Sequence, residues 1–235
     1  QPATTDQSQA DTVDPSRFIA EKLPLAAVPS VPGIRLHMAT PASGLRRMLE
    51  AAGQLGSPYW AYPWAGGAVL ARFILDRPQT VAGRRVLDLG SGSGLVAIAA
   101  AKAGAASVIA ADPDRNAMAA LRLNAAANDV EIEASARDVT AGSPPDVDMV
   151  LAGDVFYEAK LAARVTAFLD RCLAAGIPAL VGDPGRAPLP RRRMRLLAEY
   201  AVADFGAAAR GGETPAFVFV FEPDASTGKT AGASG

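Results

Sequence analysis

The chain has 235 residues, of which half are hydrophobic and a fifth are charged, and its formal net charge is −1. This length suits one α/β domain with some extra sequence at its ends. The balanced charge does not indicate nucleic acid or a membrane surface as a partner, and no apolar run is long enough to span a bilayer. A single cysteine, Cys172, and a single histidine, His37, exclude a disulfide framework and argue against a Cys/His metal site, so we expect no metal. We expect Cys172 in the core and His37 on a strand or at the surface.

Both ends of the chain are polar and show no periodicity, which is typical of disordered segments. We therefore expect disordered tails over 1–16 and 223–235, and a single domain over 17–222 that begins with a helical extension. The first residues lack the apolar core of a signal peptide. From this, and from a composition rich in alanine and arginine, we expect a cytoplasmic, bacterial protein, and we expect it to be a monomer.

Helix and strand patterns alternate along the domain. Helices are predicted over 43–53 and 68–77, on either side of an aromatic segment that proline and glycine interrupt. We then predict strands at 84–90, 106–112, 131–136, 147–153, 178–183, 200–205 and 214–222. We predict the further helices at 95–104, 114–128, 158–176 and 191–200.

The strand patterns also indicate how the sheet is built. The early strands are almost continuously apolar, as in a parallel sheet that is covered on both faces. The segment between the last two strands is too short for a crossover helix, so these two should pair antiparallel. The sequence therefore predicts an α/β fold: a Rossmann-like, seven-stranded, mostly parallel sheet with one antiparallel strand and helices on both faces.

The strongest local signal is the sequence VLDLGSGSG at 86–94, in which a buried strand runs into three glycines. Glycines at such a turn let the backbone approach a ligand closely. The dinucleotide-binding pattern would need glycine or alanine where this chain has Leu95. With an aspartate two residues before its first glycine, the segment instead resembles the glycine loop of class I S-adenosylmethionine-dependent methyltransferases. The resemblance implies S-adenosylmethionine as cofactor, with S-adenosylhomocysteine as product, and it implies these contacts: Asp88, Gly90, Ser91, Gly92 and Gly94.

Two further carboxylates follow the next strands. Asp112 ends the second strand of the repeat, where a carboxylate can accept hydrogen bonds from both ribose hydroxyls. Asp138 follows the third strand, at a position that meets the adenine amino group in the methyltransferases that the chain resembles. Either acid alone could simply cap a loop. Together with the glycine loop, they predict two more cofactor-binding residues.

Asp154 ends the fourth strand and is followed by two aromatic residues, Phe156 and Tyr157. Ligands of open α/β sheets bind beyond the carboxyl ends of the strands, so we expect Asp154 to face the cofactor's methyl group. Capping of the next helix is the alternative. The sequence Asp-Val-Phe-Tyr lacks the prolines of adenine-N6 methyltransferases and resembles the Asp-x-x-Tyr pattern of seven-β-strand protein lysine methyltransferases. We therefore predict two catalytic residues: Asp154, which would orient the amine, and Tyr157, which would add a hydrogen bond or an aromatic face.

Four segments sharpen the resemblance: PYWAYPWAGG, DLGSGSG, GDVFYEAKLA and GDPGR occur in this order. Together they are similar to the lysine methyltransferases that modify the β subunit of electron-transfer flavoprotein. By that resemblance Trp64 and Gly67 flank the cofactor, and Arg186 lies beside the substrate entrance. Because aromatic faces attract methylated ammonium groups, Trp60, Trp64 and Phe156 are candidate walls of the substrate site. For all three, packing in the core is the competing interpretation, and for Phe156 it is the one that we favour.

The resemblance implies a protein lysine N-methyltransferase whose partner is the flavoprotein β subunit. Some relatives are described as ribosomal-protein methyltransferases, so a ribosomal protein is a second candidate substrate, and a small molecule is a third. A non-enzymatic NAD-binding module is the alternative outside the enzymes, and Leu95 counts against it. The three arginines at 191–193 predict a solvated helix start, with contact to an acidic partner as the alternative.

Overall fold

The computed structural model describes residues 14–51, 53, 57–203 and 212–224. Most of the two expected tails, residues 1–13 and 225–235, lies outside the described residues. Helix α1 (Pro15–Lys22) begins within the last residues of the expected N-terminal tail, and Asp14 caps it by accepting a hydrogen bond from the Ser16 N–H.

The segment before the main sheet contains more structure than its sequence indicates. Strands β1 (Leu25–Ala27) and β2 (Arg35–His37) pair antiparallel in a small separate sheet, which no pattern in the sequence predicts. His37 is therefore a strand residue. Helix α2 (Leu45–Ala51) confirms the helix predicted over 43–53.

The main sheet has seven strands, in the spatial order β5-β4-β3-β6-β7-β9-β8. In chain order these strands are β3 (Arg85–Leu89), β4 (Ser107–Ala111), β5 (Glu133–Ser135), β6 (Met149–Gly153), β7 (Ala179–Asp183), β8 (Met194–Ala203) and β9 (Glu213–Phe221). Strand β9 is antiparallel to both of its neighbours, whereas the pairs among β3 to β7 are parallel. The predicted mostly parallel sheet with one antiparallel strand is confirmed.

Helices cover both faces of this sheet. They are α3 (Ala65–Asp76), α4 (Leu95–Lys102), α5 (Arg115–Ala127) and α6 (Ala159–Ala174). Val86 packs in one core with α3, α4 and α5, while its neighbour Leu87 packs in a second core with α6. This alternation is what a strand buried on both faces requires. In the parts of the chain that the structure describes, no helix is long and apolar enough to cross a membrane.

The helix predicted over 191–200 is wrong. Residues Arg191–Arg193 form one 3-10 turn, and β8 follows as a ten-residue strand that pairs with β9 from Met194 to Ala203. The leucines and charged residues of this segment favour a helix locally, but pairing with β9 satisfies the strand's backbone in the sheet and overrides that propensity. The strand predicted over 200–205 is the end of β8, and its last two residues lie outside the described residues.

Four glycines bring the start of α3 against the ends of β6 and β7. A Cβ atom on Gly182 would lie 2.1 Å from the Gly66 carbonyl oxygen, and one on Gly153 would lie 2.8 Å from the Cα of Gly67. Backbone therefore packs directly on backbone here. Helix α3 accordingly begins at Ala65, three residues before its predicted start, and carries both Gly66 and Gly67 in its first turn.

We expect Gly182→Ala to lower the free energy of unfolding by about 3 kcal/mol, because its methyl group would collide with backbone that cannot yield without moving α3. Gly142→Ala is the matched control, because a Cβ there meets open space at an ordinary negative φ, and its effect should stay within about 0.5 kcal/mol. Chemical denaturation measures both. A loss below about 1 kcal/mol for Gly182→Ala would contradict this packing.

Candidate active site

The glycine loop connects β3 to α4 in a conformation that needs glycine. Gly92 has φ +51° and Gly94 has φ +85°. A Cβ on Gly94 would lie 2.3 Å from Leu121 Cδ1, so this position is restricted by both its conformation and its packing. The loop thus presents bare backbone where β3 ends.

Asp88 lies beneath this loop and is almost completely buried. Its Oδ2 accepts a hydrogen bond from the Ala97 N–H of α4 at 3.0 Å. Burial raises its pKa to about 7, a shift that the Ala97 hydrogen bond opposes. The predicted cofactor residue is therefore also the residue that ties the strand to the first turn of the helix.

Asp112 follows β4 and faces the same loop. Its Oδ2 accepts the Gly92 N–H at 3.0 Å, and its Oδ1 accepts the Asp114 N–H at 2.9 Å. Burial raises its pKa. Each carboxylate oxygen keeps a further acceptor position, which two ribose hydroxyls could use.

Asp138 is held differently. It caps the short 3-10 turn Val139–Ala141 by accepting hydrogen bonds from Thr140, and it forms an ion pair with Arg164 at 3.2 Å. The hydrogen bond from the Thr140 hydroxyl is the main reason why its pKa is lowered. The loop-capping interpretation thus describes its observed contacts, while its position on the wall of the cavity is compatible with the predicted contact to adenine.

These residues surround a cavity of about 530 Å³ at the carboxyl ends of β3, β4 and β6. The predicted residues on its wall are Trp60, Trp64, Gly67, Asp88, Gly90, Ser91, Gly92, Asp112, Asp138, Asp154, Tyr157 and Arg186. Two of the residues that line the cavity, Trp60 and Ser91, each carry a buried polar atom, Nε1 and Oγ, that has no hydrogen-bond partner within the described part of the chain. Buried polar groups normally have partners, so this wall fits a polar ligand such as S-adenosylmethionine.

The N-terminal segment is fastened to the glycine loop through one buried side chain. Asn124 of α5 donates from Nδ2 to the Ser93 carbonyl at 2.9 Å and accepts the His37 N–H at 2.7 Å. This link holds β2 against the helix that supports the loop. No pattern in the sequence predicts this connection, because asparagine within a helical pattern has no specific signature.

Asp154 is the most constrained residue of the site. Its φ of +58° is unusual for a residue other than glycine, and its N–H donates to the Gly182 carbonyl at 3.0 Å. Its Oδ2 accepts the Gly67 N–H from the first turn of α3 at 2.5 Å, and its Oδ1 forms an ion pair with Arg186. The alternative, that Asp154 caps the following helix, is wrong, because the N-cap of α6 is Glu158 and the carboxylate accepts from the first turn of the preceding helix, α3.

Burial dominates the electrostatics of Asp154 and raises its pKa to about 6. The charge of Arg186, its hydrogen bond and the Gly67 amide all act in the opposite direction. The carboxylate is therefore charged near neutral pH, although it lies in surroundings that disfavour charge.

The aromatic residues divide between the cavity and the core. Tyr157 is 46% exposed and contacts Tyr59, with their ring centroids 5.2 Å apart. Burial of the phenol raises the pKa of Tyr157. Trp64 lies at the N-cap of α3, and its Nε1 donates to the Tyr59 carbonyl at 2.7 Å. Trp60 is only 2% exposed, and its Cα lies 3.7 Å from the position that a Cβ on Gly92 would take, so it packs against the glycine loop.

Phe156 does not form a wall of the site, and this prediction needs correction. Its side chain has 0% exposure and packs in the core beneath α6, with Phe168 and Leu169. The backbone turn after β6 points Tyr157 into the cavity and Phe156 into the sheet's second core. The competing core interpretation is the correct one.

The sequence interpretation missed Asp183, the last residue of β7. This carboxylate has 0% exposure, and its Oδ1 accepts the N–H groups of Gly185 and Arg186 at 2.6 and 2.7 Å. Burial raises its pKa, and its Oδ2 lies 3.5 Å from Arg186 Nη1. The segment GDPGR contains the sequence signal for Asp183, which is an acid at the end of a predicted strand. In the sheet this strand lies next to the one that Asp154 follows.

The fold is that of class I S-adenosylmethionine-dependent methyltransferases. A candidate RNA methyltransferase from Pyrococcus horikoshii has a similar crystal structure, with a TM-score of 0.50 over 88% of this chain and 95% of that one, at 12% identity. The sequence model of the ribosomal protein L11 methyltransferases matches residues 70–156, less than half of the chain.

Relatives of nearly full length define the family. The electron transfer flavoprotein beta subunit lysine methyltransferase of Xenopus laevis is 38% identical over 215 residues, which cover 89% of this chain and 87% of the relative. The Rattus norvegicus protein of the same name is 34% identical over 82% of this chain and 78% of its own length. The chain belongs to the electron transfer flavoprotein beta subunit lysine methyltransferase family. These animal relatives argue against the bacterial origin expected from composition.

The raised pKa of Asp154 makes a prediction about stability. Because the folded state binds this proton more tightly than the unfolded chain does, Asp154 lowers stability progressively as the pH rises from about 4 to about 6. The free energy of unfolding of Asp154→Asn should therefore gain about 3 kcal/mol relative to wild type across this window. Urea denaturation at a series of pH values measures the difference, and a difference independent of pH would contradict the assignment.

Proposed function

We propose that this chain is an S-adenosylmethionine-dependent protein lysine N-methyltransferase that acts on the β subunit of electron transfer flavoprotein. The observation that carries the proposal is the buried carboxylate of Asp154 on the wall of a cavity that the glycine loop also lines. Membership of the family supports the protein substrate, because the relatives are named for it.

Groups that lack hydrogen-bond partners or present bare backbone support a cofactor site at the glycine loop. The glycine loop with Asp88, Ser91 and Asp112 would hold it, together with Asp138 and the aromatic segment that contains Trp64. When bound, S-adenosylmethionine supplies a methyl group on a positively charged sulfur. The residues of this chain have to hold an amine in line with that methyl group and keep water away.

A lysine amine suits Asp154 as its partner. At pH 7.4 the neutral amine is disfavoured by about 4 kcal/mol, since its pKa is about 10.4. A carboxylate that the Gly67 N–H holds in place can accept hydrogen bonds from the amine. These hydrogen bonds would orient the amine so that the lone pair of its nitrogen points at the methyl group. The ammonium proton leaves to water. Tyr157 and Tyr59 form an aromatic edge of the cavity along which the apolar stem of a lysine could lie.

Trp60 provides a test of the cofactor site. If the cofactor accepts a hydrogen bond from the unpartnered Nε1, Trp60→Phe should weaken S-adenosylmethionine binding up to about tenfold. Isothermal titration calorimetry measures the affinity, and NAD serves as the control ligand, which should not bind. An unchanged affinity for S-adenosylmethionine in Trp60→Phe would exclude that hydrogen bond.

A ribosomal protein is the second candidate substrate. The match of residues 70–156 to the ribosomal protein L11 methyltransferases favours it, and one such protein from Caldicellulosiruptor saccharolyticus is 46% identical over 67 residues. That similarity covers only 28% of this chain. The residues that match the family model, 70–156, include the glycine loop, which would bind the cofactor, and end before the segment GDPGR, so the match carries little information about the substrate.

Intact-protein mass spectrometry tests the function. The purified flavoprotein, or ribosomal protein L11, is incubated with this protein and S-adenosylmethionine. We expect whole-methyl mass steps on the flavoprotein β subunit only, and peptide mapping should locate them on lysine. Steps on L11 alone would move the assignment to the ribosomal substrate, and no step on either would refute both.

Asp154→Asn is the matched variant for this assay. It keeps the size of the side chain and its tolerance of a positive φ, and it removes the charge. We expect transfer to fall roughly 100-fold or more because the amine loses its orienting partner, while calorimetry shows S-adenosylmethionine binding near the wild-type affinity. Transfer at the wild-type rate would refute the role of Asp154. The cytoplasmic location and the monomeric state stay predictions.

A further inference from the structure

Arg186 lies between two buried acids. Its Nη1 forms an ion pair with Asp154 Oδ1, and the same nitrogen is 3.5 Å from Asp183 Oδ2. The main-chain N–H of Arg186 donates to Asp183 Oδ1 at 2.7 Å. The backbone of this arginine is therefore anchored on one acid, while its charged end contacts the other.

The guanidinium occupies the position that the proposed substrate needs. Each oxygen of Asp154 already accepts one hydrogen bond, Oδ2 from the Gly67 N–H and Oδ1 from Arg186, and Arg186 also supplies the positive charge beside it. A lysine ammonium is also a cation that donates N–H groups to a carboxylate. An incoming lysine therefore competes with a cation that the protein itself supplies.

We propose that Arg186 neutralises Asp154 in the free enzyme and moves onto Asp183 when the substrate amine binds Asp154. The proposal rests on the function proposed above, since it needs an amine as substrate. The distance of 3.5 Å to Asp183 Oδ2 means that a rotation of the side chain suffices, with the backbone still held by Asp183. Asp183 is thereby a positioning residue that acts through Arg186.

The moved guanidinium also helps to create the neutral amine. The charged groups that act on Asp154 are Asp183, at the end of β7, and Arg186, in the loop that follows. Helix α3 contributes only the backbone amide of Gly67. With Arg186 present, these groups carry one net negative charge, and without it they carry two. A cation beside the bound ammonium lowers its pKa and so favours release of its proton to water.

Steady-state kinetics between pH 6.5 and 9.5 test both parts, with the flavoprotein as substrate. For Arg186→Gln we expect kcat at pH 7 to fall at least tenfold and to recover as the pH rises, because the apparent pKa of kcat moves up by about one unit or more. Its KM should not increase, because nothing has to be displaced from Asp154. Arg186→Lys, which keeps the charge, should retain the wild-type apparent pKa.

Asp183→Asn should have the opposite signature. The amide can still accept the loop N–H groups, but it no longer offers a charge to Arg186, so the guanidinium stays on Asp154. We expect KM for the protein substrate to rise about tenfold, with kcat at saturation near that of wild type. Arg192→Gln is the control, because Arg192 is a nearby exposed arginine outside the site, and its kcat should follow the wild-type pH dependence.

The proposal would be overturned if the apparent pKa of kcat in Arg186→Gln equalled that of wild type. A KM of Arg186→Gln above the wild-type value would overturn it as well. If wild type itself transfers no methyl group to the flavoprotein, the proposed substrate has failed. The ion pair is then tested directly by ¹³C NMR titration of the Asp154 carboxyl group. Arg186→Gln should raise the pKa of that carboxyl above the wild-type value, and an unchanged pKa would overturn the role of Arg186.

Discussion

A charged carboxylate at the buried end of a strand is the constraint on which this site depends. Burial raises the pKa of Asp154 to about 6 although its partners act in the opposite direction, and its backbone adopts a conformation that few residues other than glycine tolerate. A helix-terminal N–H and a guanidinium offset the cost of the charge. The site thus lowers the stability of the fold to keep a charged acceptor where we propose that an amine binds, and such perturbed carboxylates are common at functional sites.

The architecture around Asp154 follows from the need to bring those two partners to it. Gly67 precedes it by 87 residues and Arg186 follows it by 32. The parallel sheet brings the ends of β6 and β7 side by side, and the glycine contacts let α3 approach both strands closely enough for its first turn to reach the carboxylate. The same edge of the sheet carries the glycine loop and Asp112, so the groups proposed to hold cofactor and amine face one cavity.

The sequence predicts this arrangement where a local pattern has a direct structural cause. Apolar runs that end in glycine or aspartate predict parallel strands with their acids at one edge, and Asp88, Asp112 and Asp154 lie there in the structure. The failures have a different origin. Strand β8 looks helical from its local sequence, because that sequence does not contain the partner that makes it a strand. The partner, β9, lies some twenty residues later in the chain. The separate positions of Phe156 and Tyr157 depend on the turn after β6, and the role of Asp183 emerges only when β7 lies next to β6.

The family membership supports a lysine as the proposed substrate, and the geometry supports the proposal that Asp154 receives it. The most direct measurement is a crystal structure of the protein with S-adenosylhomocysteine and a lysine-containing peptide of the flavoprotein β subunit. We expect the lysine nitrogen within hydrogen-bonding distance of Asp154, and the guanidinium of Arg186 on Asp183. A lysine bound elsewhere in the cavity, with Arg186 still paired to Asp154, would contradict it.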